Sequence, residues 1–276
     1  MIDALVTLLR RKRVAVLTGA GISTESGIPD YRGPVTKLRA RNPIQHHAFV
    51  TDAEARRRYW ARATVGWARF RGAEPNDGHR ALAAMERAGV LTGLVTQNVD
   101  RLHQRAGQAT VIELHGALAD VRCLACGAHE DRETLQHRLL VLNPQWAERT
   151  AELAPDGDAE LPLELVRAFR VADCLHCGGA LKPDVVFFGG NVARPVVDAA
   201  YAVVEQSEAL LVVGTSLTVF SGYRFVRRAA EKGIAVAIVN IGESRGDPHA
   251  ALRVDAHAGQ VLPALARALV EGRGTE

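Results

Sequence analysis

Short apolar runs alternate along the chain with segments in which apolar residues recur at helical spacing. The runs are rich in β-branched residues, as in strands buried on both faces of a parallel sheet: Val14–Thr18, Leu94–Thr96, Val111–Glu113, Val185–Phe188, Leu210–Val213 and Ala235–Asn240. The helical patterns between them cover Gly78–Ala88, Pro195–Gln206, Tyr223–Glu231 and Gln260–Val270. This alternation predicts an α/β fold, a doubly wound, Rossmann-like parallel sheet that binds ligands at the carboxyl ends of its strands.

Two segments interrupt the alternation. Residues 41–72 are Arg-rich with a helical pattern, and residues 121–184 contain all four cysteines. We predict that both are insertions that form a smaller domain. The predicted boundaries are 1–44, 73–120 and 185–276 for the sheet domain, with a helical insertion at 45–72 and a cysteine-containing module at 121–184.

Composition excludes several classes of protein. Of the 276 residues, 47% are hydrophobic and 24% are charged, which is ordinary for a folded domain and not for a disordered chain. The net charge of +3 is too small to indicate a nucleic-acid partner. No apolar run approaches the roughly 20 residues of a membrane span, and the basic residues 10–13 follow the first apolar stretch, opposite to a secretory signal. We therefore expect a cytoplasmic location and no membrane contact.

The four cysteines form two C-x2-C pairs: Cys123 with Cys126, and Cys174 with Cys177. Each pair can form a tight turn that directs two thiolates to one point, so two pairs supply tetrahedral sulfur coordination for Zn²⁺. Disulfides, a redox pair and buried free thiols are the alternatives. Disulfides are disfavoured without export, and a redox pair does not explain two copies. We predict one structural zinc ion, without an open position for catalysis, in a module that needs the metal to fold.

A glycine-rich stretch, GAGISTESGIPDYRG at 19–33, follows the first predicted strand. Gly19 and Gly21 permit a sharp turn and close approach to a pyrophosphate, which the amides of a following helix start would stabilise. Thr24 stands where a dehydrogenase fingerprint has its third glycine, and no acid follows about twenty residues later. The match to a dehydrogenase is therefore poor, but a loop this long indicates that it covers a ligand.

Polar residues follow the other predicted strands as well. Gln97, Asn98 and Asp100 can bond hydroxyls and carboxamides, with a helix N-cap as the alternative use of the last two. His115 directly follows a strand, and histidine suits a general base because its unperturbed pKa is near 6.5, although a single histidine is more often structural. The segments GTS at 214–216 and NIG at 240–242 offer glycine, small polar groups and amides for an adenosine.

Taken in order, these segments resemble the sirtuins, the NAD-consuming protein deacylases, from about residue 13 to residue 265. The shared motifs include GAGISTESGIPDYRG, TQNVDRLHQRAG, LHG, both cysteine pairs, KPDVVFFGGN at 182–191, GTSL and NIG. Further segments, such as RNPIQHHAF at 41–49 and SGYRF at 221–225, are similar to the class II branch, to which the mitochondrial sirtuin four belongs.

The resemblance implies where NAD and the acyl-lysine substrate bind. The implied NAD-binding residues are Gly19, Ala20, Gly21, Glu25, Asp30, Tyr31, Arg32, Arg39, Gln97, Asn98, Val99, Asp100, Gly214, Thr215, Ser216, Asn240, Ile241, Gly242 and Ala258. The implied catalytic residues are His115, as general base, together with Asn98 and Asp100. The implied peptide contacts, which would sandwich the substrate as an added strand, are Val186, Phe187 and Gly189 facing Ser216, Leu217 and Val219.

The resemblance also implies the reaction. The acyl oxygen attacks the sugar carbon that carries nicotinamide, and the resulting alkylimidate is attacked by the 2′-hydroxyl, whose proton goes to His115. Water then releases lysine and O-acyl-ADP-ribose. A protein mono-ADP-ribosyltransferase, an NAD hydrolase or a lipoamidase on the same scaffold is the alternative, and a nucleic-acid-binding zinc module or a dehydrogenase is a more distant one. We expect a monomer.

Two positions and one segment depart from the family pattern. Tyr31 stands where many sirtuins have phenylalanine, and Gly190 where many have an acid. Residues 33–39 read GPVTKLR and lack the Tyr-x-x-Arg pair with which the succinyl-preferring branch holds a carboxylate. We therefore predict that acidic acyl groups are not favoured.

Overall fold

The structure is a computed structural model that describes residues 1–31, 43–149, 161 and 163–272. Its strands in these ranges are β1 Val14–Thr18, β2 Leu91–Thr96, β3 Val111–Glu113, β4 Gly116–Cys123, β5 His129–Asp131, β6 Leu181–Val185, β7 Ala209–Val213, β8 Ala235–Val239 and β9 Leu252–Val254. Its α-helices in these ranges are α1 Ile2–Leu9, α2 His46–Thr51, α3 Ala53–Arg71, α4 Asp77–Arg87, α5 Leu102–Arg105, α6 Arg132–Leu142, α7 Leu163–Arg167, α8 Arg194–Glu205, α9 Phe220–Glu231 and α10 Ala258–Glu271.

Six of the strands form one parallel sheet in the order β3-β2-β1-β7-β8-β9. The chain winds outward in one direction from β1 and in the other from β7, as in dinucleotide-binding sheets. This confirms the predicted doubly wound α/β fold. The strand order reverses between β1 and β7, so the carboxyl ends of these two strands flank the crevice where such sheets bind ligands.

Helices cover both faces of this sheet, which explains the continuous apolar runs of its strands. All five side chains of β1 are buried: Val14 and Val16 pack on the face covered by α1, α4 and α10, and Ala15 and Leu17 on the face covered by α8 and α9. A strand that is buried on both faces cannot alternate apolar with polar residues.

Two features of the sheet differ from the sequence-based prediction. The pattern predicts a strand of the parallel sheet at residues 185–188, but the strand there is β6, which pairs antiparallel with β4 in a second, three-stranded sheet of order β5-β4-β6. Its side chains alternate between buried and half-buried because only one face is covered. The pattern does not predict the edge strand β9, because Arg253 interrupts its short apolar run.

The chain divides into two units, Met1–Ala40, Glu74–Leu114 and Val192–Glu276 in the first, and Arg41–Ala73 and His115–Asn191 in the second. The first contains the parallel sheet. The second contains the three-stranded sheet with α2, α3, α6 and α7. Residues 115–120 and 185–191, which the sequence assigned to the sheet domain, belong to the second unit because β4 pairs with β6 and the Val186 N–H donates to the His115 carbonyl over 2.8 Å.

Candidate active site

Glycines allow the ends of β1 and β7 to touch in the first unit. A Cβ at Gly19 would be 2.6 Å from the Cβ of Thr215, and a Cβ at Gly21 would be 2.8 Å from the carbonyl oxygen of Gly214. Gly214 itself has a φ of +61° and donates its N–H to the Val239 carbonyl over 2.9 Å. Side chains are thus excluded where the strand order reverses, and bare backbone faces the crevice.

The turn after β1 consists of two 3₁₀ turns, Ala20–Ile22 and Thr24–Ser26, and not of the α-helix start that the sequence suggested. Gly27, with a φ of +82°, ends the second turn. The side chain of Asn76 attaches this segment to α4: its amide donates to the Ile22 carbonyl over 2.7 Å and to Ser26 Oγ over 2.9 Å. Its Oδ1 accepts the first N–H groups of the helix, so Asn76 is also the N-cap of α4.

Ser23 joins the glycine-rich turn to the segment after β2. The Asn98 amide donates to Ser23 Oγ over 3.0 Å, and Ser23 Oγ donates to the Asp100 carboxylate over 2.7 Å. The other carboxylate oxygen of Asp100 accepts the Leu102 N–H over 2.9 Å. Burial raises the pKa of Asp100, although these two hydrogen bonds oppose the change. The structure therefore brings together two motifs that are about 75 residues apart in the sequence.

Gln97 is held between the ends of β1 and β7. Its amide donates to the Thr18 carbonyl over 3.2 Å and to Thr215 Oγ1 over 3.0 Å. Gly222 on α9 leaves room for this side chain, because a Cβ there would be 2.5 Å from Gln97 Oε1. Gln97 and Thr215 are among the predicted site residues, and Gly222 is not.

The ends of β8 and β9 form a further part of this site. The Asn240 N–H donates to the Val254 carbonyl over 3.1 Å, and its side-chain amide donates to the carbonyls of Ile241 and Gly242 over 2.9 and 3.0 Å. Asp255, which the sequence analysis missed, accepts the Gly242 N–H over 3.4 Å.

Of the other predicted NAD-binding residues, one lies at the start of α10 and another contacts it from the turn Thr24–Ser26. The side chain of Ala258 is buried there. The Glu25 carboxylate accepts the Gly259 N–H over 2.8 Å, so its charge stabilises the N-terminus of this helix.

The predicted residues of the long loop are described only in part. Asp30 is half-buried, and the Tyr31 side chain is exposed at the end of the described segment. Arg32 and Arg39 lie outside the described residues. Val99 is half-buried between Asn98 and Asp100.

His115 is in the second unit, directly before β4. Its carbonyl accepts the Val186 N–H, and the next residue, Gly116, has a φ of +76°. A Cβ at Gly116 would overlap the Asp184 carbonyl oxygen, so only glycine permits β4 and β6 to approach here. The half-buried imidazole of His115 is thus carried on a backbone that is fixed on both sides.

The residues predicted to contact a peptide have different environments. In the second unit, Phe187 packs against Phe49 and Tyr59 at ring distances of 5.1 and 5.3 Å, Val186 is half-buried, and Gly189 has a φ of +77°. In the first unit, Val219 and Ser216 are at least partly exposed.

Leu217 differs from the prediction. It has a φ of +54°, and its side chain is 1% exposed within the core of the first unit. Its side chain therefore serves the core, and a substrate can reach only its backbone.

The four cysteine sulfurs of the second unit converge on one point. All four Sγ atoms lie within 4.8 Å of one another, with Cys123 and Cys177 separated by 3.6 Å and Cys126 and Cys174 by 3.8 Å. A tetrahedron with Zn–S distances of about 2.3 Å has S–S edges of about 3.8 Å. The sulfur positions therefore fit a zinc ion with four thiolate ligands.

The two cysteine pairs have the same local geometry. In each, the residue two positions after the first cysteine donates its N–H to that sulfur over 3.4 Å: Ala125 to Cys123, and His176 to Cys174. In each, a left-handed glycine follows the second cysteine, with φ values of +75° at Gly127 and +70° at Gly178. N–H groups directed at sulfur favour the thiolate, and hydrogen bonds from the N–H groups of Cys126 and, to a smaller extent, Ala125 lower the pKa of Cys123 to about 6.

The groups around the β1/β7 crevice fit NAD. Two side-chain amides, a carboxylate and two hydroxyls, from Gln97, Asn98, Asp100, Ser23 and Thr215, lie on neighbouring strand ends beside bare glycine backbone. Amide and carboxylate groups suit a ribose diol and a carboxamide, and exposed backbone suits a pyrophosphate.

A family model described as "Sir2 family" matches residues 19–221. The chain belongs to the Sir2 family. The predicted resemblance to sirtuins is confirmed. Similar proteins include NAD-dependent protein deacetylase 1 of Mycobacterium avium, 52% identical over 95% of this chain and 93% of that protein. The NAD-dependent protein lipoamidase sirtuin-4, mitochondrial, of Homo sapiens and that of Bos taurus are each 52% identical over 91% of this chain and 81% of the relative. These names confirm the predicted enzyme class.

Solved structures of Sir2 proteins share the fold. A mutant Sir2 homologue in complex with ADP-ribose has a TM-score of 0.78 and 31% identity, covering 100% of this chain and 99% of that one. A Sir2 homologue in complex with NAD has a TM-score of 0.74 and 32% identity, covering 98% and 94%. A Sir2 complex with a p53 peptide and NAD⁺ has a TM-score of 0.73 and 28% identity, covering 100% of both chains.

The prediction of a cytoplasmic location is wrong as an inference from this sequence. Two relatives that are 52% identical are mitochondrial proteins by name, so the residues on which the prediction rested do not define a compartment. Within the described residues, no helix combines the length and apolar character needed to cross a bilayer.

Proposed function

We propose that this protein is an NAD-dependent protein-lysine deacylase, which converts acyl-lysine, NAD and water into lysine, nicotinamide and O-acyl-ADP-ribose. The observation that carries the proposal is the hydrogen-bonded group of Asn98, Ser23 and Asp100 after the carboxyl ends of β1 and β2, beside the point where the strand order reverses. It supplies an amide, a hydroxyl and a carboxylate in a chain of the Sir2 family.

NAD is the co-substrate and supplies an electrophilic sugar carbon with nicotinamide as its leaving group. In this proposal, Gln97, Asn98 and Asp100 orient the nicotinamide ribose and its carboxamide. Gly214, Thr215 and Ser216, with Asn240, Ile241 and Gly242, bind the adenosine half. The hydrogen bonds that hold these side chains before NAD arrives reduce the entropy lost on binding.

His115 is the proposed general base, which takes the proton of the ribose 2′-hydroxyl during acyl transfer. A positioned base contributes about 10²- to 10⁴-fold to rate. The fixed backbone on both sides of His115 supports this role, because a base must be held within hydrogen-bond reach of its proton. The zinc ion, with four sulfur ligands, would hold the second unit together and take no part in the chemistry.

The substrate is an acyl-lysine protein, which we propose is bound as an extended strand through backbone hydrogen bonds. The proposed contacts are Val186, Phe187 and Gly189 in one segment, and Ser216, Val219 and the backbone of Leu217 in the other. Recognition of this kind depends on the backbone more than on side chains, so many peptide sequences should be accepted. Nucleic acid and membrane are not proposed as partners, and a monomer is proposed.

The names of the relatives point to more than one acyl group as the group removed from lysine. Relatives named deacetylase and lipoamidase are both 52% identical to this chain, so either activity fits the family. Because residues 33–39 lack a Tyr-x-x-Arg pair, we predict that succinyl-lysine peptides turn over more slowly than acetyl-lysine peptides. Incubation with NAD and matched acetyl, lipoyl and succinyl peptides, ranked by nicotinamide release, tests this, and a faster succinyl rate would contradict it.

His115→Ala tests the catalytic assignment. We expect its rate of deacylation to fall by about 10²- to 10⁴-fold, because the 2′-hydroxyl proton then has no positioned acceptor. The circular dichroism spectrum and zinc content should stay unchanged. His137→Ala, at an exposed position on α6, is the matched control and should retain full activity. Activity that survives in His115→Ala would refute the assignment.

A further inference from the structure

Two buried histidines lie next to the segment 97–100, and the proposed reaction uses neither of them. His79 is on α4 and His103 on α5; their side chains are 0% and 1% exposed, and their ring centroids are 4.7 Å apart. Burial, with a smaller contribution from Arg80, lowers the pKa of His79 to about 4, and burial lowers the pKa of His103 well below its usual value. Both rings are therefore neutral at pH 7, and each has one donor and one acceptor nitrogen.

The neighbours of His79 determine which nitrogen carries its proton. The backbone N–H of Asn76 donates to His79 Nδ1 over 3.3 Å. Because Nδ1 is the acceptor, the proton of the neutral ring is on Nε2. In the part of the chain that the structure describes, this buried Nε2 has no protein partner.

Thr18 determines which nitrogen of His103 carries the proton. Thr18 Oγ1 donates its only proton to Thr96 Oγ1 over 2.8 Å and lies 2.9 Å from His103 Nε2. A hydroxyl whose proton is already used can only accept, so His103 Nε2 is the donor and His103 Nδ1 is an acceptor. Among the described residues, this Nδ1 is likewise buried without a protein partner.

We propose that one buried water accepts from His79 Nε2–H and donates to His103 Nδ1, and that this bridge completes a hydrogen-bond chain that positions Asn98. A single water between adjacent rings satisfies both the unpaired donor and the unpaired acceptor, whereas either of them left alone in the interior is destabilising. His79 and His103 are then positioning residues. The inference rests on the proposed function, because it concerns the residues assigned to NAD.

The chain of hydrogen bonds connects the two histidines to the site. After His103 it passes through Thr18, the last residue of β1, to Thr96, the last residue of β2, and the two threonines are paired in register. Thr96 Oγ1 also accepts the backbone N–H of Asn98 over 3.1 Å. Loss of the histidine donor would free the Thr18 hydroxyl to rotate away from Thr96, and Asn98 would lose a fixed anchor.

Two substitutions of His103 separate hydrogen bonding from packing. His103→Phe keeps the ring size and removes the donor to Thr18, whereas His103→Gln places an amide N–H near the position of Nε2. We expect the Kd for NAD, measured by calorimetry on the full chain, to rise about tenfold in His103→Phe and to stay within about threefold of wild type in His103→Gln. His137→Phe is the control for replacing an exposed histidine.

The unsubstituted protein provides a test that does not depend on variants. Two-bond ¹H–¹⁵N correlation spectra at pH 7 should show His79 and His103 as neutral rings with the proton on Nε2. A proton on Nδ1 of either ring, a charged ring, or a wild-type Kd in His103→Phe would overturn the inference. If the wild-type chain does not bind NAD, the proposed function fails, while the spectra still decide whether the histidine pair has the required tautomers.

Discussion

Replacing Gly222 by alanine should separate NAD binding from stability. The new Cβ would be 2.5 Å from Oε1 and 2.7 Å from Cδ of Gln97, so this flexible side chain must move and give up its bonds to the Thr18 carbonyl and Thr215 Oγ1. Each bond contributes about 1 kcal/mol, while alanine stabilises a helix interior by about 0.5–1 kcal/mol relative to glycine. The free energy of unfolding should therefore fall by only about 1 kcal/mol. The Kd for NAD should rise about tenfold, because the displaced carboxamide no longer meets the ligand.

A double-mutant cycle with Gln97→Ala makes the prediction specific. Once the long side chain at position 97 is absent, Gly222→Ala has nothing to displace and should change the Kd for NAD by less than about twofold. Isothermal calorimetry gives the Kd, and urea unfolding gives the stability of the four proteins. The reasoning would be refuted by additive effects on Kd in the double variant, or by a wild-type Kd in Gly222→Ala.

Three further predictions concern metal, acid and acyl groups. A chelator should remove one zinc per chain, and the circular dichroism signal should fall as the second unit unfolds, because four thiolates hold its cysteine turns together. The folded protein keeps His79 neutral with a pKa of about 4, whereas the unfolded chain protonates it near 6.5. The contribution of His79 to the free energy of unfolding should thus be fully present above pH 6.5 and be lost by about 3 kcal/mol by pH 4, so the decrease measured in urea titrations should be smaller by about that amount in His79→Gln. The enzyme should release nicotinamide from NAD faster with acetyl-lysine peptides than with succinyl-lysine peptides.

Each of these has a contradicting result. Unchanged folding after complete zinc loss would refute the structural metal. An acid-dependent loss of stability that is equal in wild type and His79→Gln would show that other groups cause it. His137→Gln, at an exposed site, should behave as wild type in the same titration. Faster release of nicotinamide with succinyl-lysine peptides would contradict the acyl preference.

Hydrophobic patterning predicted the parallel sheet because its strands are buried on both faces. The run Val14–Thr18 matches β1 at both ends, and 210–213 lies within β7. Patterning was wrong at 185–188. The VVFF run there has the pattern of a further buried strand of the parallel sheet. The observed strand, β6, covers Leu181–Val185 and pairs antiparallel with β4. Run length alone cannot tell which sheet a strand joins, since that depends on the partner, here β4.

The site was predictable where its chemistry lies in contiguous motifs. The C-x2-C pairs, Gln97–Asp100 and the Gly19–Gly21 turn are local signals. Ser23, Asn76 and Gly222 were missed because their roles arise from contacts with distant segments. A signal for one of them was available, since Asn76 lies two residues before the predicted helical pattern at Gly78–Ala88, close to where an N-cap is expected. Gly222 lies inside α9, which starts at Phe220, three residues before the predicted helical pattern.

Mass spectrometry of the nucleotide products tests the central claim most directly. When the full chain is incubated with NAD and an acyl-lysine peptide, we predict one O-acyl-ADP-ribose and one deacylated lysine for each nicotinamide released. His115→Ala should form neither at a comparable rate. Free ADP-ribose with the peptide unchanged, or ADP-ribose attached to protein, would contradict the account and indicate an NAD hydrolase or an ADP-ribosyltransferase.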